Sequence, residues 1–441
     1  MKVLFISLGC DKNLVDSEVM LGLLASRGYR IVDDEAEADV IVINTCCFIH
    51  DAKEESIQSI LEMAEYKTKG SLKVLIVAGC LAQRYQQEIL EEIPEVDAVL
   101  GTSSYDKIAE AIEEALAGHV KSYMESIDRL PRPEGRRMVT TGGHYAYLKI
   151  AEGCDKHCTY CIIPKIRGDY RSVPMEELLA EAEELAGQGV RELILVAQET
   201  TVYGLDLYGE KSLHRLLRRL CQIEGIRWIR ILYCYPEEID EDLIRVIREE
   251  PKICHYLDLP IQHASDQVLK RMGRRTSRRQ IQEMIGRLRR EIPDIAIRTT
   301  LITGFPGETE EQHRELLEFT DQMEFDRLGV FTYSPEEGTP AASMPDQIPD
   351  EVKEKRRSEL MELQQEIAFD LAEDMIGREI TVMIEGRVAD ENAYVGRTYR
   401  DAPGVDGLIF INTGEALMSG DFARVKVTGA LEYDLIGELI E

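Results

Sequence analysis

Tyr145-Ala-Tyr-Leu-Lys-Ile-Ala151 reads as a strand, and two residues later the chain meets Cys154-Asp-Lys-His-Cys-Thr-Tyr-Cys161. A strand running straight into a tight thiol loop decides how the rest of the chain is read. The Cys-x3-Cys-x2-Cys spacing lets one short loop wrap a metal cluster. Its three thiolates can hold three irons of a cubane and leave the fourth iron open. A zinc site would want a fourth protein ligand, and only His157 offers itself nearby.

Downstream, strand and helix patterns alternate six times. The expected strands are Tyr145–Ala151, Glu192–Gln198, Trp228–Cys234, Tyr256–Ile261, Ala296–Thr303 and Arg327–Tyr333. The expected helices are Met175–Gly189, Ser212–Ile223, Glu237–Glu249, Ser265–Arg290 (broken around Gly273), Glu308–Met323 and Pro349–Met375. This is the pattern of a partial (β/α)6 barrel of the TIM type, with its active site on the carboxyl-end loops. After Gly377 five short strands follow, at Glu379–Arg387, Ala393–Tyr399, Gly407–Ile411, Phe422–Leu431 and Asp434–Leu439. They predict a small OB-like β-barrel.

Upstream, the chain reads as a parallel α/β domain. Strands are expected at Lys2–Leu8, Val40–Ile43, Lys73–Ala78 and Ala98–Leu100, and helices at Asp16–Gly28, Ala52–Lys69, Gln83–Ile93 and Tyr105–Gly118. Continuous Val/Ile/Leu strands belong to a sheet covered on both faces. Cys10, Cys46 and Cys80 each sit just past the carboxyl end of a strand, on the rim where such sheets collect ligands. Three thiols in register suit an iron–sulfur cluster with one open iron, or a zinc with an open site; buried cysteines acting as small hydrophobes are the bland alternative. Cys47 reads as a bystander. The Pro/Gly/Arg-rich stretch 124–143, with Pro131 and Pro133, reads as a linker. The expected parts are 1–120, a linker at 121–143, a barrel at 144–375 and a terminal module at 376–441.

The 441 residues exceed a single core of about 250–300 residues. Lys and Arg number 52 against 82 Asp and Glu, a net charge of −30. That balance excludes general phosphate-backbone binding, which needs a cationic surplus. The first apolar run is far shorter than the about 20 residues of a spanning helix, so no membrane role is expected and the setting is read as cytoplasmic. In a reducing compartment ten cysteines point to metal or redox chemistry.

The cysteine loop after the first barrel strand resembles that of the radical S-adenosylmethionine (SAM) enzymes. The resemblance implies that the open iron holds the amino and carboxylate groups of SAM, which one-electron reduction cleaves to a 5′-deoxyadenosyl radical. It places Tyr160 near the adenine and the end of the second strand, Ala197-Gln198-Glu199-Thr200, near the SAM amino group. This chain lacks the family's Gly-Gly-Glu there, and a solvated strand end is the plain reading of Glu199. Leu301-Ile-Thr-Gly304-Phe-Pro-Gly-Glu308 resembles the glycine-containing segment under the adenine; an ordinary βα turn is the alternative.

The three-part layout is similar to the methylthiotransferases. Ser7-Leu-Gly-Cys10-Asp-Lys-Asn13, Asn44-Thr-Cys46 and Ala78-Gly-Cys80 look like that family's N-terminal cluster domain, and the terminal module resembles its TRAM domain. Ala151-Glu-Gly-Cys-Asp155, Ile162-Ile-Pro-Lys-Ile-Arg-Gly168 and Gly396-Arg-Thr-Tyr-Arg-Asp-Ala-Pro403 look like the branch that modifies an aspartate of a ribosomal protein, rather than the branch acting on adenosine in transfer RNA. The resemblance implies two [4Fe-4S] clusters, on Cys10, Cys46, Cys80 and on Cys154, Cys158, Cys161. It also implies SAM, an external electron donor, and the twelfth small-subunit ribosomal protein as a basic substrate. A monomer is expected. A two-cluster electron carrier or redox sensor is the reading from another class.

Charge is an independent guide. Residues 374–441 hold six Lys/Arg against thirteen Asp/Glu, which suits a basic protein better than RNA. Lys270–Arg279 carries six basic residues in ten, either a solvated helix face or a local phosphate contact. His263 could orient substrate or be structural. Trp228, Cys221, Cys234 and Cys254 read as core packing.

Overall fold

The computed structural model describes residues 1–132, 135–389 and 392–440; Pro133 of the expected linker lies outside them. The chain forms two compact units.

The first unit contains residues 1–140, 151–173 and 334–342, so it is not contiguous in sequence. Its sheet holds β1 (Lys2–Ser7), β2 (Arg30–Val32), β3 (Val40–Thr45), β4 (Val74–Gly79), β5 (Ala98–Leu100) and β6 (Lys121–Tyr123). The order is β2-β1-β3-β4-β5-β6, all parallel. Every residue of β3 and β4 is buried, as uninterrupted Val/Ile/Leu runs demand. Val40 and Val42 face one core with Met20, Leu24, Ile108 and Ile112. Ile41 and Ile43 face the other, which also takes Ile60, Leu81, Ile162 and Ile166. The segment after the third cysteine of the Cys154–Cys161 loop thus packs on the face of this sheet. A short hairpin, β8 (Ala151–Glu152) against β9 (Arg171–Ser172), closes the same segment.

Several boundaries differ from expectation. The helix expected from Asp16 begins at Asp11, directly after Cys10. Its first turn is polar and carries no apolar periodicity, but Asp11 suits the positive end of a helix, and Asn13 is buried with its amide hydrogen-bonded. The helix expected from Gln83 begins at Cys80 itself. The helix expected over 52–69 divides into His50–Ala64 and Tyr66–Lys69. Strands β2 and β6 were not expected. Both are three-residue strands without a buried residue, so neither carries an apolar run.

The second unit contains residues 141–150, 174–333 and 343–441. Its first sheet holds β7 (Tyr145–Lys149), β10 (Glu192–Val196), β11 (Trp228–Ile231), β12 (Ile253–Asp258), β13 (Ala296–Thr303) and β14 (Arg327–Thr332). All six are parallel, in the order β14-β13-β12-β11-β10-β7, the open sheet of a partial barrel. The helix expected to break around Gly273 does so, into Asp266–Arg271 and Arg278–Glu291. Ser277 restarts it with a capping box closed by Gln280.

The terminal strands are β15 (Glu379–Arg387), β16 (Ala393–Thr398), β17 (Ile409–Asn412), β18 (Phe422–Leu431) and β19 (Asp434–Leu439). They close into a barrel, β15-β16-β17-β19-β18. Buried charges tie this barrel to the parallel sheet. Glu192, the first residue of β10, accepts from Arg230 at 2.8 Å and from Arg397 at 2.7 Å, and all three are essentially inaccessible. Arg327 pairs with Asp401 at 2.5 Å, and Arg298 with Asp406 at 3.4 Å.

Candidate active site

Adjacent parallel strands β1, β3 and β4 deliver the first cysteine set. Cys46 directly follows β3, Cys80 directly follows β4, and Cys10 comes three residues after β1. Cys46 and Cys80 are buried and Cys10 is exposed. Gly9 has φ +87°, and a Cβ there would lie 2.6 Å from Cys46 Cβ, so only glycine lets these strand ends approach. Asn13 fastens the rim: its Nδ2 donates to Leu8 O at 3.0 Å and to Thr45 O at 2.8 Å, and its Oδ1 faces Cys80 Sγ at 3.7 Å. Ser56 Oγ accepts from Cys46 N and donates to Cys46 O. Cys47 is buried in the same apolar cluster as Cys80.

Burial pushes the Cys46 thiol up, and Cys80 well above that, with the neighbouring thiols adding to the effect. Burial likewise pushes Cys47 up to about 11. Thiols of this kind stay protonated unless a cation takes the sulfur; what suits a metal group is the donor set itself, three thiols brought to one rim by adjacent strands.

The second set lies in the loop inside the β8–β9 hairpin, rather than on a simple extension of the first barrel strand. Cys154 N donates to Gly168 O at 3.1 Å, and Cys161 N to Cys158 O at 3.0 Å. His157 adopts φ +48° at the turn of the loop. Cys154 and Cys158 are buried and Cys161 is half-buried, as is Tyr160. Burial, followed by Cys158 and Cys154, pushes the Cys161 thiol up. Among the described residues no three His, Cys, Asp or Glu side chains form a ready single-ion site. A cubane, with one thiolate per iron, spaces its ligands more widely than one zinc does with bonds of about 2.3 Å.

Arg167 joins the two sets. Its Nη1 donates to Asp16 Oδ2 at 2.8 Å and to Glu152 Oε2 at 3.0 Å; its Nη2 donates to Asn13 Oδ1 and lies 3.5 Å from Cys80 Sγ. Burial opposes its charge, but Cys80, Glu152 and Asp16 outweigh that and hold the guanidinium cationic. Sequence reasoning quoted Asn13 and Arg167 only inside motifs and missed their contacts, because the partners are distant in sequence.

The remaining expected residues belong to the second unit. Glu199 is fully buried just past β10, and its Oε1 accepts from Thr201 Oγ1, so it is not a solvated strand end. Gln198 beside it is half-buried. Gly304 follows β13 with φ +69°, and Lys353 Cγ fills the space a Cβ would take, at 2.2 Å. Gly304 N donates to Glu308 Oε2 at 2.7 Å. His263 is fully buried, accepting from Ser265 N on Nδ1 with Nε2 3.7 Å from Glu308, which supports a structural role. The Lys270–Arg279 run is not a uniform solvated face: Arg274 is buried over Tyr235, Arg271 donates to Gly307 O and Arg278 covers Phe319.

Three family models match the chain: Uncharacterized protein family UPF0004 over residues 2–101, the Radical SAM superfamily over 148–320 and the TRAM domain over 376–440. A ribosomal protein uS12 methylthiotransferase RimO of Lachnoclostridium phytofermentans is 66% identical over 437 residues, spanning 99% of each chain. The chain belongs to the RimO methylthiotransferase family. A RimO of Acetivibrio thermocellus is 54% identical, spanning 100% of this chain and 98% of its own. With RimO relatives across its whole length and a radical SAM core, the chain is a radical SAM methylthiotransferase that uses SAM and iron–sulfur chemistry. Among solved structures, the radical SAM methyltransferase TsrM of Kitasatospora setae aligns with TM-score 0.54 at 15% identity, over 77% of this chain and 73% of TsrM. The cobalamin-dependent SAM radical enzyme OxsB aligns with TM-score 0.51 at 14% identity, over 83% of this chain and 56% of its own. These two likenesses concern the fold alone.

Proposed function

We propose that this chain transfers a methylthio group to the β-carbon of an aspartate in ribosomal protein uS12. In this reading residues 1–120 form the first cluster domain, 121–143 a linker, 144–375 the radical SAM barrel and 376–441 the TRAM module. Cys154, Cys158 and Cys161 hold one [4Fe-4S] cluster, and Cys10, Cys46 and Cys80 hold a second. When bound, these groups and SAM supply one-electron cleavage chemistry and the sulfur to be transferred. The protein's part is to hold each set of thiols, to orient SAM with Tyr160, Gln198, Glu199 and Gly304, and to dock the substrate.

One observation carries the reading: Arg167, from the segment of the second cysteine set, touches Cys80 of the first at 3.5 Å within one compact unit. Two clusters serving one substrate would need cysteine sets held this near each other, and Arg167 is the residue that links the two segments. The acidic terminal module favours a basic protein partner. Among the described residues no helix is long and apolar enough to cross a membrane. The reading includes an external electron donor, a monomeric state and a cytoplasmic setting.

The test is iron and sulfide analysis with anaerobic SAM cleavage, repeated on Cys154→Ala and Cys10→Ala. We expect the first to abolish 5′-deoxyadenosine formation. The second should spare it while losing methylthiolation of uS12 by mass spectrometry. A methylthio gain on transfer-RNA adenosine with none on uS12 would overturn the substrate, and no SAM cleavage at all would favour an electron carrier.

A further inference from the structure

We propose that Arg167 sets the reduction potential of the cluster on Cys10, Cys46 and Cys80, as a positioning residue acting through the Cys80 sulfur. The inference rests on the two-cluster reading above. Arg167 is 2% exposed, and its partners Asn13, Asp16 and Glu152 are equally enclosed. Its fork is held from two sides. Nη1 is tied to two carboxylates, at 2.8 and 3.0 Å, while Nη2 faces the sulfur at 3.5 Å. Glu152 lies two residues before Cys154, so the guanidinium is anchored beside one cysteine set and touches the other.

Stability alone is a poor reason for this arrangement. Burying such charges costs desolvation that their mutual attraction often only repays. The arrangement does have a consequence for an iron–sulfur site. Reduction adds one electron to the cluster, and the new negative charge spreads onto the ligating sulfurs. A fixed positive charge and an N–H directed at Cys80 both favour that charge, the more so where water is excluded. Arg167 therefore raises the potential. Lysine would not reproduce it, because one ammonium cannot serve Asp16, Glu152, Asn13 and Cys80 across the width of a guanidinium.

The experiment uses the full chain carrying Cys154→Ala, Cys158→Ala and Cys161→Ala, reconstituted anaerobically so that only the first set can load. Iron and sulfide are measured, then the potential is read by a redox titration followed by electron paramagnetic resonance. The double variant Asp16→Asn with Arg167→Met removes one charge of each sign, and Arg167→Lys keeps the charge but not the fork. We expect both to load as the parent does. The ratio of reduced to oxidised cluster at a fixed potential should fall at least tenfold in the double variant, about 59 mV for a one-electron couple. The lysine variant should fall between the two. An unchanged or higher potential in a loaded variant overturns the inference. So does failure of both variants to load when the parent loads, since Arg167 would then serve assembly alone. A parent that binds no iron defeats the two-cluster reading itself, which is a separate outcome.

Discussion

Asn13 shows how one side chain can hold a site to which it contributes no thiol. Its amide bridges Leu8 O and Thr45 O, the carbonyls next to the Cys10 and Cys46 segments, and its oxygen meets Arg167 and Cys80. Replacing it with alanine takes a donor from two carbonyls and an acceptor from one guanidinium N–H in a dry site. Each orphaned group costs about 1–3 kcal/mol. Asn13→Ala should therefore lower the urea midpoint of the protein and reduce the iron held by the first cysteine set, as iron analysis of the reconstituted chain will read. The six cysteines proposed as cluster ligands were legible because thiols at the ends of successive strands, or at x3/x2 spacing, form a local pattern in the sequence. Asn13, Ser56 and Arg167 were not, since a hydrogen bond to a distant carbonyl or sulfur leaves no periodic trace.

At the scale of the element, strands were easier to read than helix starts. Val40–Ile43 and Val74–Ala78 are unbroken apolar runs, and the strands expected at Val40–Ile43 and Lys73–Ala78 fall on β3 and β4. The helix after Cys10 starts earlier than its apolar periodicity does because its first turn is polar, with Lys12 and Asn13 buried. The helix that begins at Cys80 opens instead on Cys80, Leu81 and Ala82, which are buried and continue the apolar run of the strand before them. The turn before the first of these helices also has a steric demand. Gly9→Ala places a methyl 2.6 Å from Cys46 Cβ on a backbone of φ +87°, so the Cys10 segment must move. We expect that variant to lose iron from the first set while keeping SAM cleavage at the second. The capping box at Ser277 is a second element-level feature: Ser277→Ala should cost about 1 kcal/mol, visible as a lower Tm.

For the whole molecule, the decisive feature is a buried charge network that no local pattern announces. Burial alone would raise the Glu192 carboxyl, but Arg397 and Arg230 outweigh it and hold it below its ordinary 4.5. A lowered folded value means the pairing stabilises above about pH 4.5, and that this stability is lost as pH falls through the folded value. Glu192→Gln should cost about 3 kcal/mol by leaving buried guanidiniums short of a partner, and should flatten the acid side of the stability profile measured by urea unfolding. The same network qualifies the charge argument. Arg397, Arg400, Glu385, Asp401 and Asp406 are spent on internal pairs, so the acidic surplus of residues 374–441 barely changes. The Gly396–Pro403 segment, read as a family marker, thus supplies Arg397 and Asp401 to the seam with the parallel sheet. By itself the sequence determined the strand and helix alternation, the closed terminal barrel and the two cysteine sets, because periodicity and ligand spacing are local and chemical. Only the tertiary structure decided that residues 151–173 pack with the first unit, that Arg167 meets Cys80 and that Glu192 sits between two arginines. These are pairings of buried polar groups far apart in the chain, and only a folded chain, where water no longer competes, makes each of them choose a partner.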